Sequence, residues 1–369
     1  MQDKDRPSDP HDEDSVDEAL DAHWVSSPTR RARLESAIRY NDEQHYDATQ
    51  IKRVQRVVGA KPDGAWGLRT VDAVSIWQRQ HQLGADGKVG PQTLAALERA
   101  ASIRPEDRPK IATVGAWTGQ ASFPRIAKDV QFCVDHGLNR LDVVVNDFSK
   151  RRGPAPFDTY RPSKIVELCQ VARDRGLEVH LMSWIMPHAT FIEQAAEQLI
   201  PLCEQTGASS LQWDAEEPWT KAMDALPYEE AADRIARAFA DLPCPMGVNG
   251  IGFVPAKRFR PLAEICDYLL PQCYATAGSR ARPQTVVSLC VDRWRERFGR
   301  DKRLVIGLAA YRQEGIEGLT PQQAMNSSLD NVRAYGLDTV VYWSLRQIRE
   351  SPEVAAAVAA IREPAEGSA

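Results

Sequence analysis

The 369-residue chain lacks three features that would point to common classes of protein. Its seven cysteines are odd in number, form no CxxC pair and all lie from Cys133 onward, which argues against a disulfide framework or a cysteine zinc site. Lys and Arg number 46 against 51 Asp and Glu, so there is no basic field for nucleic acid or an anionic membrane surface. No run approaches ~18 consecutive apolar residues, the length of a membrane-spanning helix. We therefore expect no nucleic-acid or membrane partner.

The first 20 residues lack the basic and apolar regions of a secretory signal peptide. They are rich in Asp, Glu, Ser and Pro and contain no aromatic residue, so residues 1–20 are predicted to be a disordered acidic tail. The expectation is synthesis in the cytoplasm. A target outside the cell must then be reached by another route, either release during phage lysis or injection by a secretion system.

What the sequence does contain, between residues 47 and 100, is a repeated turn. One copy reads GAKPDGAWGLRT from Gly59, and the other reads LGADGKVGPQT from Leu83. In each copy, glycines that can adopt positive φ precede a Thr that enters a segment with helical apolar spacing. The pattern predicts a small helical domain within residues 21–100, in which a preceding helix at about 27–40 packs on the repeats.

These motifs resemble the peptidoglycan-binding domain type 1 family, whose pattern is DGxxGxxT, then AVxxWQ, then GLxxDGxVGxxT. The chain has DGAWG from Asp63, AVSIWQ from Ala73 and LGADGKVG from Leu83, with Gln82 where the family often has Gly. The match covers roughly fifty residues. The resemblance implies that peptidoglycan is a partner and that the turns shape a groove for the glycan.

A linker and a second domain are predicted after the repeats. Residues 101–110 contain two prolines and five charged residues, which is typical of a linker. Beyond them, eight apolar runs alternate with segments of helical spacing; the runs start at Ile111, Leu141, Val179, Leu211, Pro245, Tyr268, Leu304 and Thr339. This pattern predicts an α/β fold, a (β/α)8 TIM barrel over residues 111–363. The alternative, a doubly wound open sheet, lacks a Gly-rich phosphate turn after its first strand.

Three carboxylates follow the fourth apolar run, in LQWDAEEPW from Leu211. Active sites of (β/α)8 barrels form at the carboxyl ends of the strands, where this cluster is predicted to lie. Alternation along a strand places Asp214 and Glu216 on one face, with Cα atoms ~6.6 Å apart. Because two close, partly buried carboxylates do not both ionise readily, one can act as a general acid. We predict that Glu216 is the acid and that Asp214 orients it; a salt-bridged or helix-capping cluster is the structural alternative.

Other predicted strand ends carry polar and aromatic residues suited to a sugar. Gln272 and Tyr274 lie two positions apart after the sixth run, where a Tyr hydroxyl can hold an acetamido group. Trp343 ends the eighth run, and its flat ring can form a platform for a sugar. The remaining candidates for substrate contact are Asn146, Asn249, Trp117 and Trp184. For each residue, packing in the core is the structural alternative.

The acid motif resembles glycoside hydrolases of the family 18 type, in which a DxE motif on strand 4 supplies the acid. The resemblance implies that Glu216 is the proton donor, that Asp214 positions the N-acetyl oxygen as nucleophile, and that Tyr274 assists it. The chain departs from the fuller pattern DxxDxDxE, because Ser209 and Gln212 replace two of its acids. Family 25 lysozymes also carry DxE on strand 4, but they usually have an Asp at strand 1, where this chain reads GAW.

Together the two domains predict a peptidoglycan hydrolase of the endolysin type that cleaves the glycan strand, as a muramidase or an N-acetylglucosaminidase. The alternative is a non-catalytic cell-wall-binding protein with a degenerate barrel. Zinc amidases need convergent His ligands, but only three of the seven histidines fall in the barrel region and none follows His188. The Ser-x-Gly-Cys series of an L,D-transpeptidase is also missing. We expect a monomer without metal or cofactor.

Overall fold

A computed structural model describes residues 28–60, 62–81, 83–102, 110–146, 156–222, 224–252, 257–279, 281–316 and 318–362. The predicted tail at residues 1–20 lies outside this part of the chain, as do residues 103–109 of the predicted linker. Within the described ranges, every helix is too short or too polar to span a lipid bilayer.

The described part of the N-terminal domain contains the helices Pro28–Glu43, Ala48–Val58, Leu68–Gln80 and Pro91–Ser102. The first helix packs against Leu68–Gln80, as predicted for the segment before the repeats. Apolar side chains spaced by three and four positions enclose a core of their own, separate from that of the barrel. This core includes Leu34, Ile51, Val54, Val71, Val74, Trp77 and Leu97.

Local hydrogen bonds define the start and the end of the helix Ala48–Val58. The Asp47 carboxylate accepts from the backbone N–H of Gln50 at 2.8 Å, and the Gln50 side chain accepts from the backbone N–H of Asp47 at 3.0 Å. This capping box satisfies two amide donors that the helix leaves free. The helix ends at Gly59, whose φ of 72° is accessible to glycine without steric cost.

A buried glutamine fastens the first of the two repeated turns. Gln55 Nε2 donates to the carboxylate of Asp63 at 2.7 Å, to the carbonyl of Ala65 at 2.9 Å and to the Thr70 hydroxyl at 3.2 Å. Gln55 Oε1 accepts from the backbone N–H of Gly64 at 2.9 Å. One side chain thus joins the tip of the turn to the start of the next helix.

The second turn repeats this arrangement around Gln78. Its Nε2 donates to the carboxylate of Asp86 at 3.1 Å, to the carbonyl of Lys88 at 2.8 Å and to the Thr93 hydroxyl at 3.1 Å. Gln78 Oε1 accepts from the backbone N–H of Gly87 at 2.8 Å. The repeated turn predicted from the sequence is therefore a structural duplication, with a glutamine that the motif analysis did not single out as its centre.

One closed, parallel sheet forms the second domain. Its strands are β1 (Thr113–Thr118), β2 (Arg140–Val144), β3 (Glu178–Trp184), β4 (Leu211–Asp214), β5 (Met246–Ile251), β6 (Tyr268–Gln272), β7 (Arg303–Leu304), β8 (Ile306–Ala309) and β9 (Thr339–Trp343). The short strands β7 and β8 both pair with β6 and share one position in the sheet. Pairing of β9 with β1 and of β5 with β6 closes the sheet at eight positions, which confirms the predicted barrel.

Helices connect the strands on the outside of the barrel. The longer ones are Ile126–Asp135, Pro162–Asp174, Ala189–Thr206, Tyr228–Ala238, Arg260–Ile265, Val286–Phe298 and Pro321–Ala334, and Leu345–Glu350 and Pro352–Ala359 follow the last strand. Short helical segments lie at Gln120–Arg125, Glu217–Thr220 and Lys257–Phe259. On this outer side, the ring centroids of Trp213 and Phe239 are 4.9 Å apart. Because side chains alternate along β4, Trp213 outside the barrel places Asp214 inside it, as predicted.

The two domains touch at the helix Val286–Phe298. Arg79 Nη1 lies 3.1 Å from Asp292 Oδ2, and Asp292 Oδ1 accepts from the Tyr335 hydroxyl at 2.8 Å. Gly59 faces Gln284 just before this helix. Because the Arg79 side chain is half exposed, this ion pair contributes at most about 1 kcal/mol.

Candidate active site

Interior side chains meet at the carboxyl ends of β3, β4 and β5. Trp184, Asp214 and Asn249 are partners in the parallel register, so their side chains lie at one level on one face of the sheet. The same face carries a small apolar cluster inside the barrel, formed by Trp117, Met182, Tyr268, Leu270, Val305 and Val341. The register therefore brings three of the predicted site residues together above that cluster.

Asp214 ends β4 and is 2 % exposed. Its Oδ1 is shielded from water and has no hydrogen-bond partner among the residues that the structure describes. Burial raises the pKa of this carboxyl well above its ordinary value, and the charge of Glu216 raises the pKa further. Asp214 therefore retains its proton at pH values where an exposed Asp is ionised.

Glu216 lies beyond the end of β4, because the strand stops at Asp214, before the position predicted from alternation. It is 6 % exposed and directly precedes the short helix Glu217–Thr220. Its backbone carbonyl accepts from both the N–H and the hydroxyl of Thr220, each at 2.9 Å. A helical turn, not the pleat of the strand, sets the direction of Glu216, yet the two acids remain close enough to interact.

Tyr274 lies two residues beyond β6 and faces the acid pair. Burial raises the pKa of its phenol well above the ordinary value, and the charges of Tyr311, Glu216 and Asp214 raise it further. The rings of Tyr274 and Tyr311 meet edge to face, with centroids 6.1 Å apart and planes at 80°. Prediction from the sequence missed Tyr311; the available signal was its position directly after the seventh apolar run, LVIGLAA.

Side-chain hydrogen bonds cross the barrel interior from β3 to β6. Asn249 Nδ2 donates to Met182 Sδ at 3.1 Å, and Gln272 Nε2 donates to Asn249 Oδ1 at 3.2 Å. Gln272 Oε1 is left as a buried acceptor with no partner in the described part of the chain. Asn249 is fully buried and orients Gln272, so Gln272 is the better placed of the two for contact with a ligand. A direct substrate contact by either residue stays a prediction.

Two tryptophans line another part of the interior. The ring centroids of Trp117 and Trp343 are 5.8 Å apart, with planes at 55°. Trp117 is 1 % exposed and its Nε1 has no partner within the described ranges, whereas Trp343 is half-buried. Gly307 leaves room for the indole ring of Trp117, since a Cβ at position 307 would lie 3.1 Å from that ring. Of the pair, Trp343 is the more accessible to a sugar ring.

Asn146 and Trp184 interact with each other. Asn146 Oδ1 accepts from the backbone N–H of Trp184 at 2.8 Å, and its Nδ2 donates to the Trp184 carbonyl at 3.3 Å. Both ends of the amide are thus engaged with the end of β3. Asn146 holds the backbone that carries the half-buried Trp184 ring, and its predicted contact with substrate remains a prediction.

An ion pair lies in the barrel interior, on the amino-terminal side of the acids. Arg140 donates from Nε and Nη2 to Asp142 at 2.9 and 2.8 Å, and Gln212 Nε2 also donates to Asp142. Burial acts to lower the pKa of the Arg140 guanidinium, but the charge of Asp142 and these hydrogen bonds outweigh burial and raise it. Prediction missed this pair, although two charges at alternate positions of a buried strand were a visible signal.

No group of three or more His, Cys, Asp or Glu side chains within the described ranges is arranged to hold a metal ion. The seven cysteines are free thiols, and all but the half-buried Cys244 are buried. The acid pair and its polar neighbours are therefore the strongest candidate for chemistry in this part of the molecule.

Comparisons with known proteins bear on both domains. Residues 49–97 match the model of a family described as putative peptidoglycan binding domain. No match to the chain was found among curated proteins. Among solved structures, the C-terminal domain of a putative chitinase from Desulfitobacterium hafniense DCB-2 shares the barrel fold, with a TM-score of 0.51 and 10 % identity over 68 % of this chain and 99 % of that one.

Two further solved structures are similar with TM-scores of 0.48. The catalytic domain of the hyperthermophilic chitinase from Pyrococcus furiosus is 15 % identical over 65 % of this chain and 86 % of that one. The xylanase-α-amylase inhibitor protein XAIP-I, in complex with trehalose, is 10 % identical over 67 % and 97 %. The chain therefore combines a module similar to peptidoglycan-binding domains with a barrel whose fold is that of chitinase-like proteins, which confirms the resemblance drawn from the sequence at the level of fold.

Proposed function

We propose that the protein is a glycoside hydrolase that cleaves the glycan strand of peptidoglycan, with Glu216 as the general acid. The observation that carries this proposal is the buried pair Asp214 and Glu216 at the carboxyl end of β4, the side of a (β/α)8 barrel where active sites form. The family match of residues 49–97 supports peptidoglycan as the polymer that is held beside the barrel.

The acid pair provides a proton that can move between two carboxyls. Ionising both acids would place two like charges in a poorly solvated space, so loss of the first proton makes the pair hold the second more tightly. In the free protein, burial favours the proton on Asp214. A substrate amide N–H that donates to Asp214 would stabilise its ionised form, and the proton would then lie on Glu216, as protonation of a leaving glycosidic oxygen requires.

The resemblance to the family 18 type supports a route in which the substrate supplies the nucleophile. The acetamido oxygen attacks the anomeric carbon while the bond to the leaving oxygen breaks and Glu216 protonates that oxygen. Asp214 holds the acetamido N–H, and water then opens the cyclic intermediate. Because the pKa of Tyr274 is raised, its phenol stays protonated and can donate a hydrogen bond to the acetamido group.

The polar atoms without partners fit an N-acetylated sugar. Asp214 Oδ1 and Gln272 Oε1 are buried acceptors, and Trp117 Nε1 is a buried donor, each without a partner among the described residues. Buried polar groups in folded proteins are nearly always paired, so such atoms are candidates for contact with a ligand. Hydroxyl and acetamido groups supply both the donors and the acceptor they need, and the Trp343 ring provides an apolar surface for the sugar face.

The test compares wild type with Glu216→Gln, which keeps the shape of the side chain and removes the acid. Purified peptidoglycan is digested, the products are reduced with borohydride, and the new reducing ends are identified by mass spectrometry. We expect Glu216→Gln to lose at least about a hundredfold in rate, the usual contribution of a positioned acid. Glu197→Gln, an exposed position on the helix Ala189–Thr206, is the matched control and should retain full activity.

The reduced sugar distinguishes the possible activities. Reduced N-acetylmuramic acid identifies a muramidase, and reduced N-acetylglucosamine identifies a glucosaminidase. Co-sedimentation with the same peptidoglycan should be equal for wild type and Glu216→Gln. Sedimentation without release of either sugar would reject the enzyme and favour a non-catalytic cell-wall-binding protein.

A further inference from the structure

A buried glutamine joins the two loops that carry the tyrosine pair of the candidate site. Gln313 follows β8 and is 3 % exposed. Its Nε2 donates one hydrogen bond to the carbonyl of Ala275 at 2.8 Å and another to the carbonyl of Tyr311 at 3.2 Å. Both donors of the amide group are therefore used: the first connects the loop after β8 with the loop after β6, and the second holds the backbone of Tyr311 within the loop after β8.

The two carbonyls belong to the backbone that carries the tyrosine rings. Ala275 is the residue after Tyr274, and Tyr311 is itself one of the pair whose centroids lie 6.1 Å apart. The Ala277 N–H donates to the carbonyl of Arg312 at 2.7 Å, which is a second link between the two loops. Arg312 has a φ of 50°, a backbone conformation that few residues other than glycine adopt. The loops thus hold a defined shape, and the amide of Gln313 lies between them.

From this geometry we infer that Gln313 is a positioning residue, which holds the Tyr274–Tyr311 pair against Asp214 and Glu216. The inference rests on the proposed function only for its kinetic consequence. Without the two N–H donors, the Ala275 and Tyr311 carbonyls would lose their partner, and the loops would separate or seek water. The Tyr274 hydroxyl would then lose the fixed direction that a hydrogen bond to a reacting group requires.

The competing explanation is that Gln313 only stabilises the loops and has no effect on the tyrosines. The molecule contains another glutamine, Gln198, that stabilises a loop away from the candidate site. Gln198 donates from Nε2 to the Phe157 carbonyl at 3.1 Å, and its Oε1 accepts from the N–H of Thr159 at 3.2 Å. It therefore fastens a different segment, between β2 and the helix Pro162–Asp174, with the same chemical group. Gln198→Met is the matched control for Gln313→Met, because both remove an amide and keep the length of the side chain.

The first readout does not depend on catalysis. The protein is labelled with 3-fluorotyrosine at its nine tyrosines, and Tyr274→Phe and Tyr311→Phe assign the two 19F resonances of interest. We expect Gln313→Met to shift or broaden both resonances and to lower the pKa of the Tyr274 phenol, because burial of the phenol decreases. Gln198→Met should leave both resonances unchanged. A folded Gln313→Met protein with wild-type resonances and wild-type titration of Tyr274 would overturn the inference.

The second readout is a double-mutant cycle on glycan cleavage. We expect Gln313→Met to lower kcat by about tenfold with little change in KM, and to have no further effect in a Tyr274→Phe background. Independent, multiplicative losses would show that Gln313 does not act through Tyr274. If the wild-type protein releases no sugar, the proposed function fails, and the 19F readout still decides the positioning role.

Gln313→Glu provides a second variant if Gln313→Met does not fold. Its carboxyl keeps the shape of the amide and, when protonated, donates one hydrogen bond. When ionised it donates none and repels both carbonyl oxygens. The Tyr274 and Tyr311 resonances should therefore move together as that carboxyl ionises, and resonances that do not respond would contradict the inference.

Discussion

In both domains, glutamine side chains hold loops by hydrogen bonds, but the sequence separation between each glutamine and its partners differs. Gln55 and Gln78 each bind side-chain and backbone atoms 8 to 15 residues away. In the barrel, Gln212 binds Asp142 at a separation of 70 residues, and Gln313 binds Ala275 at a separation of 38. The hydrogen bonds that hold the two repeated turns are thus local, whereas the candidate site is assembled from distant segments.

This difference predicts where single substitutions will act. A change to Gln55 or Gln78 should alter the helical domain alone, because the hydrogen bonds of these two side chains stay within that domain. A change to the barrel interior should affect several strands together. Hydrogen exchange followed by mass spectrometry across a urea series separates the two domains, since each peptide reports the free energy of unfolding of its own region.

The largest expected effect is that of Asp142→Asn. This substitution leaves the Arg140 guanidinium buried without its counter-charge, and breaking a buried ion pair from one side costs about 3–5 kcal/mol. Peptides from β2, β3 and β4 should lose protection by that amount, while the helical domain is unchanged. Glu350→Gln removes an exposed partner of Arg346 and should cost at most about 1 kcal/mol. Equal losses in the two variants would contradict the distinction between buried and exposed pairs.

An intermediate effect is expected for Gln55→Leu and Gln78→Leu. Each removes the hydrogen bonds that join the turn to the helix, including the one to a buried threonine, Thr70 or Thr93, at a cost of about 1–3 kcal/mol. Because Gln55 and Gln78 make matching hydrogen bonds, the two losses should agree and should be confined to peptides of the helical domain. A large effect for one glutamine and none for the other would show that the two matching sets of hydrogen bonds contribute unequally to the free energy of unfolding.

The same contrast explains what could be predicted from the sequence. The turns at Asp63 and Asp86 have close partners, so their motifs alone indicated both fold and family. Barrel strands are local as well, because each coincides with a mainly apolar run, and the run from Leu304 contained one residue of β7 and the whole of β8. Alternation along β4 placed Trp213 and Asp214 on opposite faces, and the structure identifies the face of Asp214 as the interior of the barrel.

What could not be predicted depends on contacts between distant segments. The spacing of Arg140 and Asp142 suggests a pair, but the contact of Asp142 with Gln212 of β4 requires the closed barrel, because β3 lies between the two strands. The direction of Glu216 is set by a short helical turn that alternation along a strand does not include. Tyr311 belongs to a loop whose position beside Tyr274 requires the closed barrel. The two residues of the predicted acid pair lie close together, but the residues around them could not be predicted from spacing in the sequence.

The smallest expected effect is a change in the slope of the free energy of unfolding against pH. This slope links the stability of the barrel to the candidate site. The pKa of Asp214 is raised in the folded protein above its ordinary value of 3.8. As the pH rises above 3.8, the unfolded chain releases this proton while the folded protein keeps it, so the folded state binds more protons and stability falls with pH. The slope is at most about 1.4 kcal/mol per pH unit for one proton, and it ends where Asp214 ionises in the folded protein.

Asp214→Asn removes this titration and should therefore gain stability relative to wild type as the pH rises from 4 to 7. The measurement is the free energy of unfolding of barrel peptides at several pH values in that range, with Asp241→Asn, an exposed position, as the control. A stability difference that does not vary with pH would mean that Asp214 ionises normally in the fold. A difference that increases with pH would show that Asp214 keeps its proton in the fold at a cost in stability. Asp214→Asn should then be more stable than wild type and, because the acid pair is lost, inactive.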